Sequence, residues 1–228
     1  MSERERHDKD SVFQHLTDEI VTGDLAPGTP LPERALVDRF GISRTPIRQV
    51  LWMLERDGLV DMHPNRGAFV KKLGAGEVIE LFQLREALEP LAAKLAASHR
   101  PLHEALELRS LMLNAAEDAA RDTRELVSLG AEMHDAIARW SGNRMLQRIY
   151  EMLRTQTHLL RNLLHEQQGT ERTSLAEHIE ILSAIADGDT NAAFKRMSDH
   201  LKRARLAIIE ELFTSGALSV GHSSEAQR

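Results

Sequence analysis

The chain has 228 residues, a net charge of −6 and no cysteine. This length fits one large domain or two smaller ones, and the lack of cysteine excludes a disulfide framework and thiolate metal sites. The first residues contain no apolar segment of the kind that a secretion signal needs, and no run of about 18 apolar residues occurs. The composition therefore predicts a cytoplasmic protein with no membrane partner.

Three short helices and a two-stranded hairpin are predicted in the first third of the chain. Residues 1 to about 10 are charged and patternless, and we expect a mobile tail there. Helical spacing of apolar residues predicts a first helix that ends at Gly23, then a loop, APGTPL, and a second helix between Pro32 and Gly41. After Gly58, two short β-like runs flank the turn PNRG. This order is that of a winged helix-turn-helix.

The third predicted helix lies in the stretch FGISRTPIRQVLWMLERDGLV and has one apolar and one polar face. Its polar face carries Arg44 and Arg48 near the N-terminal end, where a helix in the major groove places its base-reading side chains. Eight basic and four acidic residues lie between Arg34 and Lys72, a local charge of +4. Phosphate contacts depend on this local charge, so the acidic total does not exclude DNA binding. The alternative is an ordinary amphipathic helix with solvated arginines.

The glycine-bearing segment LGAGE, at residues 73–77, is the predicted boundary between two domains, 1–73 and 74–228. Beyond it we find only helical periodicity, broken near SHRPL, RDT, SGN, QQGTERT and DGDT. These breaks predict six or seven helices up to Phe213, followed by a frayed end from residue 215. The predicted fold class is mainly α: a winged helix-turn-helix followed by an all-α antiparallel helical bundle.

Three of the eleven histidines differ from the other eight, which lie in polar or irregular settings, and two of these three can be placed side by side. If DGDT turns an antiparallel hairpin, His178 and His200 both lie roughly 15–18 Å from Gly188 and stand side by side. Both border apolar faces, so their imidazoles can share a divalent metal. The alternative is that each is a separately hydrogen-bonded core residue. His134, in the stretch MHDAIARWSGN, is the third histidine of this kind.

The segments LPERAL, GISRTPIR, LERDGLV and NRGAFV, in this order and spacing, resemble the winged helix-turn-helix of GntR-family transcription regulators. The resemblance implies a double-stranded DNA operator as partner. It implies DNA contacts from five residues: Arg34, Arg44, Thr45, Arg48 and Gly67. The chemistry agrees, because arginine donates two hydrogen bonds to guanine, while threonine and a backbone N–H beside a glycine suit phosphate.

The segments LREALEPLAAKLAA, MHDAIARWSGN and EHIEILSAIADGDTNAAFKRMSDHL resemble the FCD effector domain of the FadR subfamily. Many such domains hold a metal on one aspartate and three histidines, and the resemblance carries the histidines over to His134, His178 and His200. The aspartate expected one turn before the first histidine is Gly130 here. A three-histidine site can still hold zinc or nickel, completed by water or by a ligand carboxylate.

Arg85 and Asn143 recur in the FCD pattern and are candidate effector contacts. Their alternative roles are a helix-surface salt bridge from Arg85 to Glu89 and a helix cap at Asn143. The sequence thus predicts a ligand-responsive repressor that binds a palindromic operator as a homodimer and is modulated by a small organic acid. Two alternatives are a metal-free regulator of a larger acyl ligand and a metal-dependent enzyme. No HExxH, GxSxG or paired-carboxylate motif supports an enzyme.

Overall fold

A computed structural model describes the backbone of residues 8–162 and 168–214 and the side chains of residues 8–157 and 171–210. The helices are α1 (Lys9–Thr22), α2 (Glu33–Phe40), α3 (Arg44–Arg56), α4 (Ala75–His99), α5 (Leu102–Glu117), α6 (Thr123–Trp140), α7 (Arg144–Asn162), α8 (Gln168–Asp187) and α9 (Thr190–Thr214). The strands are β1 (Pro30–Leu31), β2 (Val60–His63) and β3 (Gly67–Val70). The predicted class, mainly α, is confirmed.

The chain forms two compact units that divide between Lys72 and Leu73, and Arg154–Asn162 is grouped with the first unit. In the first unit, α1 and α2 pack on α3, and α3 contacts β2. The apolar face of α3 is fully buried, with Ile47 and Val50 at its centre. This burial accounts for the helical spacing of its apolar residues. The predicted limits 1–73 and 74–228 stay a prediction.

The three strands form an antiparallel sheet in the order β1-β3-β2. In the hairpin of β2 and β3, Val60 lies opposite Val70 and His63 lies opposite Gly67. The turn between them contains Asn65, at φ 63, and Gly67 has φ 90. Both φ values lie in the left-handed region, which asparagine and glycine adopt most easily. This hairpin is the predicted wing.

Two local predictions for the first unit are wrong. Pro30 and Leu31, expected in a loop, pair with β3. They were missed because a strand of two residues is too short to show the alternation of apolar and polar residues. The predicted tail overlaps the start of α1, because Asp8 caps this helix through a bond of 2.8 Å from Ser11 N. The rest of that tail, and the frayed end predicted from residue 215, lie outside the described residues.

The second unit contains α4 to α6, the first half of α7, and the whole of α8 and α9. In it α9 packs along α4, α5 packs on α8, and α6 contacts both α4 and α8. Gly188, at φ 76, and Asp189 connect α8 to α9 in a tight reversal. The break predicted near QQGTERT lies next to the start of α8 at Gln168, and residues 163–167 lie outside the described part of the chain. In the described part of the chain, no helix is long and apolar enough to span a membrane.

Candidate functional site

His134 on α6, His178 on α8 and His200 on α9 meet in the core of the second unit. They are only 2%, 5% and 4% exposed, and one nitrogen of each lies within 4.8 Å of the others. His178 Nε2 is 3.2 Å from His200 Nε2. We call these three residues the histidine cluster. The expected side-by-side position of His178 and His200 is what the α8–α9 reversal produces.

A buried ion pair on α4 orients His134. Arg85 Nε donates to Glu89 Oε1 at 2.6 Å, and Glu89 Oε2 lies 2.5 Å from His134 Nδ1. Burial opposes ionisation of Glu89, but Arg85 and His134 hold the pKa of this carboxyl well below its usual value. The carboxylate accepts the Nδ1 proton, so Nε2 is the nitrogen that His134 can offer to the cluster.

A second carboxylate orients His200 in the same way. Glu177 Oε2 lies 2.7 Å from His200 Nδ1, and Arg203 donates to both oxygens of Glu177 at 2.5 and 2.7 Å. Burial opposes ionisation of Glu177, but hydrogen bonds from His200 and Arg203 lower its pKa. The Nε2 lone pair of His200 therefore points to His178.

The histidine cluster fits a divalent metal in the spacing of its nitrogens, and one of its members, His200, also fits in its protonation. Two nitrogens bound to tetrahedral zinc at about 2.0–2.1 Å lie about 3.3 Å apart, and the Nε2 atoms of His178 and His200 are separated by 3.2 Å. Burial lowers the pKa of His200, although Glu177 opposes the shift. The neutral imidazole, which is the form that ligates metals, is thus favoured. Among the described residues no carboxylate joins the three nitrogens.

The two candidate effector residues have structural partners. The predicted pair of Arg85 and Glu89 forms, but its expected surface position is wrong, because each residue is only 3% exposed. Asn143 Oδ1 accepts hydrogen bonds from the backbone N–H groups of Met145 and Leu146 at 3.1 Å. Asn143 thus caps the start of α7. Their effector contacts stay predictions.

The candidate DNA-contacting residues lie on exposed parts of the first unit. Arg44, Thr45 and Arg48 are exposed on α3, Arg34 is exposed on α2, and Gly67 is exposed at the wing. The recognition helix, the wing and the preceding helix are the elements that touch DNA in proteins with this motif. All five residues are thus accessible to a partner, and their DNA contacts stay predictions.

Two neighbours of Arg48 were not predicted. Its guanidinium lies 5.9 Å from the ring centre of Trp52, and its Nε is 3.2 Å from Glu33 Oε1. Trp52 is 54% exposed, which is unusual for an indole, and it can hold the arginine by a cation–π contact. Its position four residues after Arg48 was a signal in the sequence, since such residues are neighbours on a helix.

The fold and the exposed recognition helix define a DNA-binding transcriptional regulator with a separate helical domain. The protein-family model for the FCD domain matches residues 80–203 of this chain. The family model for bacterial regulatory proteins of the gntR family matches residues 8–70. The chain belongs to the gntR family of bacterial regulatory proteins and carries an FCD effector domain.

Similar proteins agree with this assignment. An HTH-type transcriptional regulator of Streptomyces ambofaciens is 31% identical over 225 residues, which cover 94% of this chain and 93% of that protein. The HTH-type transcriptional repressor RspR of Escherichia coli is 26% identical over 192 residues, covering 84% of each chain. These relatives are regulators, and the family is one of regulators, so the chain is not an enzyme.

Solved structures share the fold. A GntR transcriptional regulator from Rhodococcus sp. RHA1 has a TM-score of 0.76 and 24% identity, covering 89% of this chain and 97% of its own. A structure described as the metal-free FCD domain of TM0439 has a TM-score of 0.54 and 22% identity, covering 62% of this chain and 98% of its own. These similarities show the fold alone.

Proposed function

We propose that this regulator is a cytoplasmic repressor that binds a palindromic operator as a homodimer. A small organic acid, bound at a divalent metal in the FCD domain, modulates its hold on DNA. The observation that carries the sensing half of this proposal is the histidine cluster with a carboxylate behind two of its members. The DNA-binding half follows from the exposed polar face of α3.

On the DNA side, Arg44 and Arg48 are proposed to read base edges and Thr45 to contact phosphate. The first turn of a recognition helix enters the major groove most deeply, so its arginines reach guanine O6 and N7. Arg34 and the backbone N–H of Gly67 add contacts from the preceding helix and the wing, which fix the orientation of the unit.

Dimerisation is proposed to belong to the helical domain. A single winged helix reads a short half-site, and two copies related by a twofold axis read an inverted repeat with half-sites about 10 base pairs apart.

The relative RspR is named a repressor, and this name supports the proposed sign of regulation.

On the sensing side, His134, His178 and His200 are proposed to hold the metal. Three imidazole nitrogens suit zinc or nickel better than magnesium or calcium. The bound ion would supply a Lewis-acidic position for a carboxylate oxygen. Arg85 and Asn143 are proposed as effector contacts secondary to the metal, since both already have partners in the protein.

The competing candidate is a metal-free regulator of a larger acyl ligand, and Gly130 favours it by removing the aspartate expected from the FCD pattern. In that case the three histidines are a hydrogen-bonded polar core. Metal analysis separates these two regulators, because the competing candidate predicts no bound metal after reconstitution.

Selection from randomised duplexes with the full-length protein tests the DNA-binding proposal. We expect the selected DNA to contain an inverted repeat with half-site centres one or more helical turns apart, and light scattering to show a dimer. Enrichment of a single half-site, or a monomer in solution, would contradict it.

A further inference from the structure

Arg48 on α3 lies between a carboxylate and an indole. Its Nε is 3.2 Å from Oε1 of Glu33 on α2, and its guanidinium carbon is 5.9 Å from the ring centre of Trp52. Glu33 approaches from another helix, whereas Trp52 lies one turn further along α3. We call Glu33 and Trp52 the Arg48 clamp. The clamp restricts the positions that this long side chain can take.

The two contacts leave one end of the guanidinium available. Glu33 is nearest to Nε, the nitrogen next to the aliphatic stem, and Trp52 offers its aromatic ring. In the described part of the chain, Arg48 has no other ion pair and no hydrogen bond. The terminal nitrogens Nη1 and Nη2 are the pair that can donate together to O6 and N7 of one guanine. The clamp thus holds Arg48 without occupying the end that reads a base.

Trp52 has no place in the core of the first unit. It is 54% exposed, and the buried face of α3 is formed by other residues: Ile47, Val50, Leu51 and Leu54. An exposed indole loses most of the benefit of burying a large apolar side chain. Packing therefore does not account for Trp52, whereas a cation–π contact with Arg48 does.

Glu33 brings a negative charge to a basic surface. Arg34 follows it in the chain and Arg48 lies beside it, and both arginines are exposed. An exposed ion pair of this kind adds little to folding stability. When α3 lies in the major groove, however, the carboxylate repels phosphates and weakens the general attraction to any duplex. A matching guanine offsets this repulsion, and a random sequence does not.

We propose that Trp52 and Glu33 are positioning residues that make Arg48 selective for its base. The proposal rests on the proposed base reading by Arg48. Trp52 orients the guanidinium before DNA arrives, so that less side-chain freedom is lost when Arg48 meets guanine. Glu33 holds the Nε side and disfavours duplexes that offer no matching guanine, which is discrimination by repulsion.

Substitution of Trp52 in the full-length protein tests its part, with the selected operator and a random duplex of equal length as probes at fixed salt. We expect Trp52→Leu to lower operator affinity about 3- to 10-fold and to leave random-duplex affinity unchanged. Trp52→Phe keeps an aromatic ring and should retain most of the affinity. Both variants should unfold at the wild-type temperature, since Trp52 is exposed. Equal losses for leucine and phenylalanine, or equal losses on both duplexes, would overturn the proposal.

A double substitution separates positioning from direct contact. If Trp52 acts through Arg48, Trp52→Leu should cause no further loss of operator affinity in an Arg48→Ala background. A further loss as large as that in the wild type would show that Trp52 touches DNA itself, and it would overturn the positioning role.

Glu33→Gln tests the repulsive part. We expect random-duplex affinity to rise about 3-fold, because one negative charge leaves the DNA-facing surface, and the ratio of operator to random affinity to fall. Glu55→Gln is the matched control, since it removes the same charge at an exposed position near the other end of α3; its ratio should stay at the wild-type value. An unchanged ratio in Glu33→Gln would overturn the part assigned to Glu33.

Arg48→Ala distinguishes a failure of this inference from a failure of the function proposed above. If Arg48→Ala weakens both duplexes equally, base reading by Arg48 and the clamp are overturned together. If Arg48→Ala loses operator preference and Trp52→Leu keeps it, the clamp alone is overturned.

Discussion

Glu89 and Glu177 determine which nitrogen each neighbouring histidine turns toward the cluster. Both are carboxylates held by an arginine, and both accept from a histidine Nδ1. A metal-binding histidine commonly donates its other ring N–H to such a group, which fixes the tautomer and the ring orientation. Glu89 and Glu177 therefore fix the orientation of two rings of the histidine cluster, although neither carboxylate would itself be a metal ligand.

Glu177→Gln tests this role. We expect zinc affinity, measured by competition with a chromophoric chelator, to fall about 10-fold, because a neutral amide holds the Nδ1 proton of His200 less firmly. Glu180→Gln is the matched control on the same helix, since Glu180 pairs with Arg196 at the surface. Equal zinc affinities for both variants and the wild type would argue against an orienting role.

Glu89→Gln should act mainly on stability. It leaves Arg85 buried without a charged partner, and we expect a loss of about 3 kcal/mol in the free energy of unfolding, measured by urea titration. Glu86, on the same helix as Glu89, forms a half-buried ion pair with Arg205. We expect Glu86→Gln to lower the free energy of unfolding by less than about 1 kcal/mol. Similar losses in the two variants would mean that the buried pair of Arg85 and Glu89 contributes no more to stability than the half-buried pair.

Arg48→Ala tests base reading. We expect a loss of about 1–3 kcal/mol on the selected operator and a smaller loss on random duplex, measured at fixed salt. Arg56→Ala is the control, because Arg56 lies at the other end of α3 beside Asp57; it should affect both duplexes alike. Equal losses on both duplexes with Arg48→Ala would assign Arg48 to phosphate.

At the scale of elements, the histidine pair could be predicted because it depends on local geometry. His178 and His200 lie ten and twelve residues from Gly188, and two helices joined by a tight turn bring such positions together. The position of His134 depends on how α6 packs, which spacing alone does not determine, so only the family resemblance indicated it.

The partners of the histidines could not be predicted from spacing. Glu89 is 45 residues from His134 in the chain. Glu177 likewise contacts a residue that is distant in the chain, His200, rather than its neighbour His178. Such contacts depend on the packing of α4, α6, α8 and α9. The cap at Asp8 had only a partial signal, since aspartate is a preferred N-cap residue, but Ser11 lies where a capping box usually has glutamate or glutamine.

At the scale of the molecule, the chain contains one unit with the winged helix-turn-helix and a second unit with the buried histidine cluster, where we propose a metal. Metal that binds the folded chain more tightly than the unfolded chain must stabilise it. Chelation should therefore lower the unfolding temperature of the reconstituted wild type, and His200→Ala should abolish this difference. His103→Ala, at an exposed histidine on α5, should leave it intact.

The most direct test of the central claim is the metal content of the full-length protein after reconstitution and dialysis, measured by elemental mass spectrometry. For the proposed metal site we expect a ratio of about one zinc or nickel ion per chain, and a ratio near zero for His178→Ala and His200→Ala. A wild-type ratio near zero with zinc, nickel and manganese alike would contradict it.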